Sequence, residues 1–326
     1  DLAGEEFGRR LLLTSGANGT IYCLRPDFTL PIAKSYIGAK NPAPAALSYL
    51  GAVFRQRAQG PSEFEQAGLE LLAQKDPDQA LRQVFDFVRT AFLIFEIAAP
   101  TVQLGSIELF ETLLTAADMP EVWRARVRRR FGNRQALAAL FNRLDNPPAD
   151  NGQTEFSSHE ELVATISEQM LEDGLSLVES RSPEEIADRY LEKQALAASL
   201  VPQKTIALLR AYLAITGPVD NALAQIKELF ADAGIIEAGN IEKCRLHAHD
   251  LAERLPGATM DFDAGFSPRL HYYTGLVFEI SAAKNQVLAS GGQYDRLLQA
   301  LGADRKITAS GCALWVERME EEASVQ

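Results

Sequence analysis

The sequence predicts an α+β protein in which a block of helices interrupts a sheet. Two observations carry this. Strand-like, period-two segments cluster in roughly the first 75 residues and return after about residue 258. Between about 107 and 215 the text is almost wholly helical, rich in Ala, Leu, Glu and Arg. No internal repeat is visible. The boundaries that follow are 1–118 for the first part of a core, 119–215 for the helical insertion and 216–326 for the second part of the core.

The elements follow in order. Ile21 to Leu24 is a short apolar run, and Pro26 then forbids a helix through Arg25-Pro26-Asp27-Phe28-Thr29. Tyr49–Arg57 and Phe64–Leu72 alternate around the loop signal Gln59-Gly60-Pro61-Ser62, which predicts an antiparallel hairpin. One hairpin face is apolar (Leu50, Ala52, Phe54, Ala67, Leu69, Leu71) and is expected to pack on the core. The other collects Arg55, Arg57, Gln66 and Glu70 around Gly68, either as a solvated face with cross-strand ion pairs or as a site. Asp76 caps a helix with Pro77 in its first turn and a stripe of Leu81, Val84, Phe85, Val88 and Phe92. Thr101–Leu104 is a short strand, and Asp145–Asp150 a loop within the helical block. A helix capped by Asp220 runs to Gly234, and another spans 238 to 254. Ala258–Phe262, His271–Ser281 and Val287–Ala289 read as strands. Ser290-Gly291-Gly292 then turns into a helix from Gln293 to Leu301, and Ile307–Glu322 is a last strand–helix unit.

The chain has 326 residues, 47% of them hydrophobic, which excludes disorder. Its formal net charge of −12 disfavours nucleic-acid binding. No apolar run approaches the roughly 20 residues that span a bilayer, so no membrane role is expected. Cys23, Cys244 and Cys312 form no CxxC pair, which argues against disulfides and zinc and favours a cytoplasmic setting. No cofactor motif is present: there is neither GxGxxG nor a P-loop. His247, His249 and Asp250 are metal-like types, but i,i+2 spacing on a helix points the two histidines apart. Arg124, Arg126, Arg128, Arg129, Arg130 and Arg134 crowd one helical segment, as an anion patch or as a solvated face.

Taken together, five segments in order across residues 24–318 resemble the catalytic domain of histidyl-tRNA synthetase, a class II aminoacyl-tRNA synthetase. Leu24 to Thr29 resembles its Arg-Pro-Glu-x-Thr segment, and Tyr49–Arg57 continuing to Glu70 its motif 2 hairpin. His271 to Glu279 resembles its histidine-binding Tyr-Tyr block. Ser290 to Asp295 resembles its Gly-Gly-Arg-Tyr-Asp turn, and Gly311–Arg318 its motif 3. The implied fold is a class II synthetase-like antiparallel sheet flanked by helices, with the helical insertion. The resemblance implies that Asp27, Thr29 and Gln66 hold the ammonium of histidine. It implies that Arg55 faces its carboxylate, and that Glu70 with Tyr272 and Tyr273 takes the imidazole. These groups match the needs of a buried amino acid: an acceptor for each N–H and a cation for the carboxylate.

The departures fall on the nucleotide side. Arg57 stands where synthetases carry the adenine-binding Glu. Pro268 replaces the second catalytic Arg, with Arg269 one position along. Trp315 replaces a motif 3 Gly before Arg318. Losing these groups removes orders of magnitude from adenylation. Eight residues follow Arg318, so no anticodon-binding domain is expected, and motif 1, the dimer-building strand and helix, is not visible in residues 1–326. A synthetase-like domain with a histidine pocket and no adenylation resembles the regulatory-subunit family of ATP phosphoribosyltransferase. That resemblance implies no catalysis of its own and a short-form catalytic subunit as partner. It implies L-histidine as a feedback effector, and homodimers within a hetero-octamer. The rival reading is a truncated histidyl-tRNA synthetase or an ATP-dependent histidine-activating enzyme, and a third is a plain histidine-binding protein with no partner.

Overall fold

The computed structural model describes residues 5–39, 43–57, 60–146, 158–172, 182–268, 272–282 and 286–324. Gln59, residues 147–150 of the expected loop, Arg269 and His271 lie outside them. Helix α1 (Glu5–Gly8) and a two-stranded ribbon of β1 (Leu13–Ser15) and β2 (Ile21–Cys23) open the chain. Next come α2 (Thr29–Gly38), the hairpin β3 (Ala45–Phe54) and β4 (Glu63–Leu72), α3 (Pro77–Ile94), β5 (Thr101–Ser106) and α4 (Ile107–Ala116). Five helices follow: α5 (Glu121–Arg128), α6 (Arg134–Asp145), α7 (His159–Glu172), α8 (Pro183–Ala198) and α9 (Gln203–Ala214). The chain ends with β6 (Thr216–Pro218), α10 (Val219–Asp232), α11 (Asn240–Arg254), β7 (Thr259–Asp263), β8 (Leu276–Ser281), β9 (Val287–Gln293), α12 (Arg296–Ala300), β10 (Ala309–Trp315) and α13 (Val316–Ala323).

Two compact units result. One joins residues Asp1–Ala116 to Arg210–Gln326, and the other is Ala117–Leu209. The first holds an eight-stranded sheet in the order β3-β4-β10-β9-β8-β5-β7-β6. Its pairs are antiparallel except β5 with β7. Strands from both ends of the chain therefore alternate within one sheet.

Helix α3 shows how local chemistry sets this layer. Asp76 accepts from the backbone N–H groups of Asp78 and Gln79, both at 3.0 Å, a cap worth about 1 kcal/mol. The stripe Leu81, Val84, Phe85, Val88 and Phe92 is buried, and Phe85 meets Phe278 of β8 edge-on at 5.7 Å. Helix α11 lies beside it, tied by Arg82–Asp250 at 2.9 Å and Arg254–Asp86 at 2.7 Å. His247 and His249 are not paired with each other: His247 contacts Asp78 at 3.1 Å and His249 contacts Asp220 at 3.1 Å.

Four local expectations are corrected. Asp220 does not cap α10: Pro218 holds the N-cap position, with no side-chain cap, and Asp220 sits in the first turn. The strand expected from His271 begins only at Leu276, leaving Tyr272–Gly275 as a turn. Ser290-Gly291-Gly292 is the middle of β9 rather than a turn, and the helix starts at Arg296. The glycines there serve close approach: a Cβ at Gly291 would lie 2.4 Å from the Gly311 carbonyl, and Gly292 has φ +156°. Finally, the hairpin faces do not divide as expected: Leu71 of the apolar face is buried, but so is the polar face. Leu50, expected inward, is 68% exposed, while Gln66 and Glu70 on the polar face are 2% and 1% exposed. Helices α3 and α13 pack against β4, while β3, which carries Leu50, is the edge strand of the sheet. The polar face is buried because other parts of the chain roof it.

Candidate functional site

The roofed face is a cleft enclosing, with its mouth, about 460 Å³. All seven residues singled out from the sequence line it: Asp27, Thr29, Arg55, Gln66, Glu70, Tyr272 and Tyr273. Strand register explains the floor. Gln66, Gly68 and Glu70 of β4 pair with Trp315, Ala313 and Gly311 of β10, so these six positions share one face. Small residues are required there. A Cβ at Gly311 would lie 1.9 Å from Glu70 Oε2, and one at Gly68 would meet the Tyr49 ring at 2.2 Å.

Asp27 is brought in by its flanks. The Arg25 guanidinium donates to the Ala52 carbonyl at 2.7 Å and lies over the Phe28 ring at 4.0 Å. The Phe54 N–H donates to the Arg25 carbonyl at 2.9 Å. This pins the Pro26 segment along β3 and sets Asp27 just ahead of α2. Asp27 Oδ1 accepts from the Leu30 N–H at 3.1 Å. Its Oδ2 is buried with no partner, a state that costs about 1–3 kcal/mol. Burial raises the Asp27 pKa, opposed by the Leu30 N–H and by the charge of Arg55.

Arg55 follows β3, with its guanidinium 5.1 Å from the Phe64 ring and 5.7 Å from the Phe7 ring. Among the described residues it has no carboxylate within ion-pair distance. Burial lowers its pKa, and Asp27 pulls it back up. Glu70 lies deepest. Its Oε1 accepts from the Thr29 hydroxyl at 2.5 Å and its Oε2 from the Tyr294 hydroxyl. Burial pushes its pKa up to about 8 against these two hydrogen bonds, with Asp27 adding to the rise. Tyr272, Tyr273 and Tyr294 form an aromatic roof with centroids 5.0 to 6.4 Å apart.

Residue-type reasoning missed Tyr49 and Tyr294. Tyr49 stacks on Phe28 at 4.4 Å and donates to the Cys312 carbonyl at 3.4 Å. It shares strand parity with Arg55 and sits opposite Gly68, which is the signal that could have found it. Tyr294 stood inside the Gly-Gly segment but received no role there.

The nucleotide-side departures are also in view. Arg57 donates from Nε to the Pro61 carbonyl at 2.7 Å and lies over Phe64 at 4.2 Å. Arg318 donates to the Val287 carbonyl at 2.7 Å and lies over Trp315 at 5.4 Å. Trp315 itself lines the cleft. Among the described residues, no group of three or more metal-type side chains converges.

Comparison with known proteins places this geometry. A family profile described as histidyl-tRNA synthetase matches residues 4–190 and 166–319. An ATP phosphoribosyltransferase regulatory subunit from Mesorhizobium japonicum is 38% identical over 98% of this chain and 88% of its own length. One of the same name from Agrobacterium fabrum is 37% identical, with the same coverage. Among solved structures, an ATP phosphoribosyltransferase regulatory subunit/histidyl-tRNA synthetase from Bacillus halodurans superposes with TM-score 0.61 at 20% identity, over 96% of this chain and 68% of that one. The ATP phosphoribosyl transferase (HisG:HisZ) complex from Thermotoga maritima matches with TM-score 0.53 at 15% identity, over 94% and 85%. These structures share the class II synthetase-like fold, an antiparallel sheet flanked by helices.

Proposed function

The chain belongs to the family of ATP phosphoribosyltransferase regulatory subunits, and we propose that it is a histidine-sensing subunit with no catalysis of its own. One observation carries the reading: a buried cleft that presents Asp27 Oδ2 and the Arg55 guanidinium, which among the described residues have no hydrogen-bond partner and no ion pair respectively. These are complementary to the ammonium and carboxylate of a free amino acid. Gln66 faces the same space, and Thr29, which already donates to Glu70, keeps acceptor capacity for the ammonium. Glu70 holds its proton up to a pH of about 8, so it can donate to, or pass that proton to, an imidazole nitrogen beneath the tyrosine roof. Tyr272 and Tyr273 close over the ring.

The nucleotide side supports the non-catalytic part. Arg57 and Arg318 are engaged with backbone carbonyls, and an indole stands at the cleft wall. Electrostatic stabilisation of a phosphoryl transition state needs cations aimed at the ligand, not at the chain's own peptide groups. The partner in this reading is the short-form ATP phosphoribosyltransferase catalytic subunit, within a cytoplasmic hetero-octamer built on dimers of this chain. The chain activates that subunit, and histidine inhibits by binding the inactive state of the complex more tightly than the active one.

The test has two arms. Calorimetry with L-histidine should show one saturable site, and addition of the chain to the short catalytic subunit should raise its turnover until histidine is supplied. Histidine-dependent ATP–pyrophosphate exchange by the chain alone would overturn the non-catalytic reading in favour of an activating enzyme. Absence of any effect on the catalytic subunit would overturn the regulatory one.

A further inference from the structure

The basic cluster of the helical unit plays no part in the reading above. Arg126, Arg129 and Arg130 lie at and just past the end of α5, three and four residues apart, so they share a helical face. Arg143 comes from α6 and Glu192 from α8. One oxygen of Glu192, Oε1, accepts from Arg126 at 3.2 Å and from Arg129 at 2.6 Å. Arg130 turns one Nη1 back to the Arg126 carbonyl at 3.1 Å. Arg124, on another face, is paired with Glu121 at 2.6 Å.

Among the described residues, Arg126 and Arg129 thus share one carboxylate, and Arg130 and Arg143 lie close enough to interact electrostatically with Arg126. The Arg126 side chain is only 19% exposed. Burial lowers the proton affinity of both Arg126 and Arg130, and Arg129 and Arg143 oppose both of them electrostatically. Half-buried cations that repel one another are costly unless a matching anion is supplied. The chain carries a net charge of −12, yet among the described residues one carboxylate, Glu192, pairs with these arginines.

We propose that Arg126, Arg129, Arg130 and Arg143 form a binding site for a phosphate-bearing small molecule, with a diphosphate group the best match. The local excess is three positive charges against one carboxylate already held. A compact anion with several charged oxygens neutralises that excess, and planar guanidinium forks meet such oxygens two at a time. The proposal is independent of histidine sensing, because every residue involved lies within Ala117–Leu209.

The experiment titrates the full chain with inorganic phosphate, pyrophosphate and ATP at matched ionic strength, by calorimetry. Pyrophosphate should bind saturably, and the double variant Arg130→Gln, Arg143→Gln should weaken it about tenfold or more. Histidine binding should be the same in both proteins, and an unchanged far-ultraviolet circular dichroism spectrum shows that the helical unit of the variant is folded. Pyrophosphate should raise the melting temperature of the parent chain only, and the unligated variant should melt no lower than the parent, since repulsion has been removed. ATP binding as tight as pyrophosphate, and equally sensitive to the variant, would support the site and assign its ligand to nucleotide phosphates. No saturable binding by any of the three anions, or equal binding by the double variant, would overturn the proposal. So would a variant that melts well below the parent, because the arginines would then be structural.

Discussion

Arg55 and Arg57 stand two residues apart at the end of one strand, and the fold treats them in opposite ways. Arg55 turns into the cleft, desolvated, with no carboxylate within reach among the described residues. Arg57 turns back on its own loop, donates to the Pro61 carbonyl and covers Phe64. Arg318 repeats the second pattern, and Asp27 the first. The inner region tolerates unsatisfied buried groups, whereas the outer region has satisfied its cations internally. An unsatisfied group is stable only in a fold strong enough to hold it, and it is productive only if a ligand completes it. In the proposed reading, the contrast separates the region that receives histidine from the region that no longer serves a nucleotide.

Four measurements break or sharpen that contrast. The largest effect is expected from Arg55→Ala, which should weaken histidine binding by about 2–5 kcal/mol, read by calorimetry. An unchanged affinity would erase the distinction between the two arginines. Next is the pH dependence set by Glu70. Below about pH 4.5, its ordinary value, folded and unfolded chains both hold the proton and no slope arises. Between there and about 8 only the folded chain holds it, so stability should fall as pH rises, by about 1.4 kcal/mol per unit. Above about 8 both have released it and the slope ends. Urea unfolding at a series of pH values should show this component, and Glu70→Gln should flatten it. Third, Gly311→Ala places a methyl 1.9 Å from Glu70 Oε2, so the carboxyl must leave its seat. A loss of about 1–3 kcal/mol in unfolding free energy, with weaker histidine binding, is expected. The smallest effect belongs to the outer region. Arg57→Ala and Arg318→Ala should each change histidine affinity by less than about 0.5 kcal/mol, as for sites away from the ligand.

The sequence made the hairpin, the capped α3 and the helical block legible because each obeys a local rule of period or capping. It also brought seven positions from both ends of the chain to one cleft, but through the ordered segments of a known family rather than through periodicity. What stayed hidden was nonlocal. Hydrophobicity put Leu50 inward, yet the face that is buried carries Gln66 and Glu70, because Tyr272, Tyr273 and Tyr294 arrive from far along the chain to cover it. Gly291 and Gly292 looked like a turn. Their reason is the closeness of β8 and β10 on either side, which no local window contains.

The proton on Glu70 also alters the electrical identity of the molecule. The charge of −12 counts every carboxylate as ionised. With its pKa pushed up to about 8 by burial, Glu70 is mostly neutral at pH 7, so the folded chain carries less negative charge than its composition states. Glu70→Gln should then migrate with the parent chain in native electrophoresis at pH 7 and separate from it only in more alkaline buffer. A residue read as an anion from its letter is, in the fold, an uncharged hydrogen-bonding group.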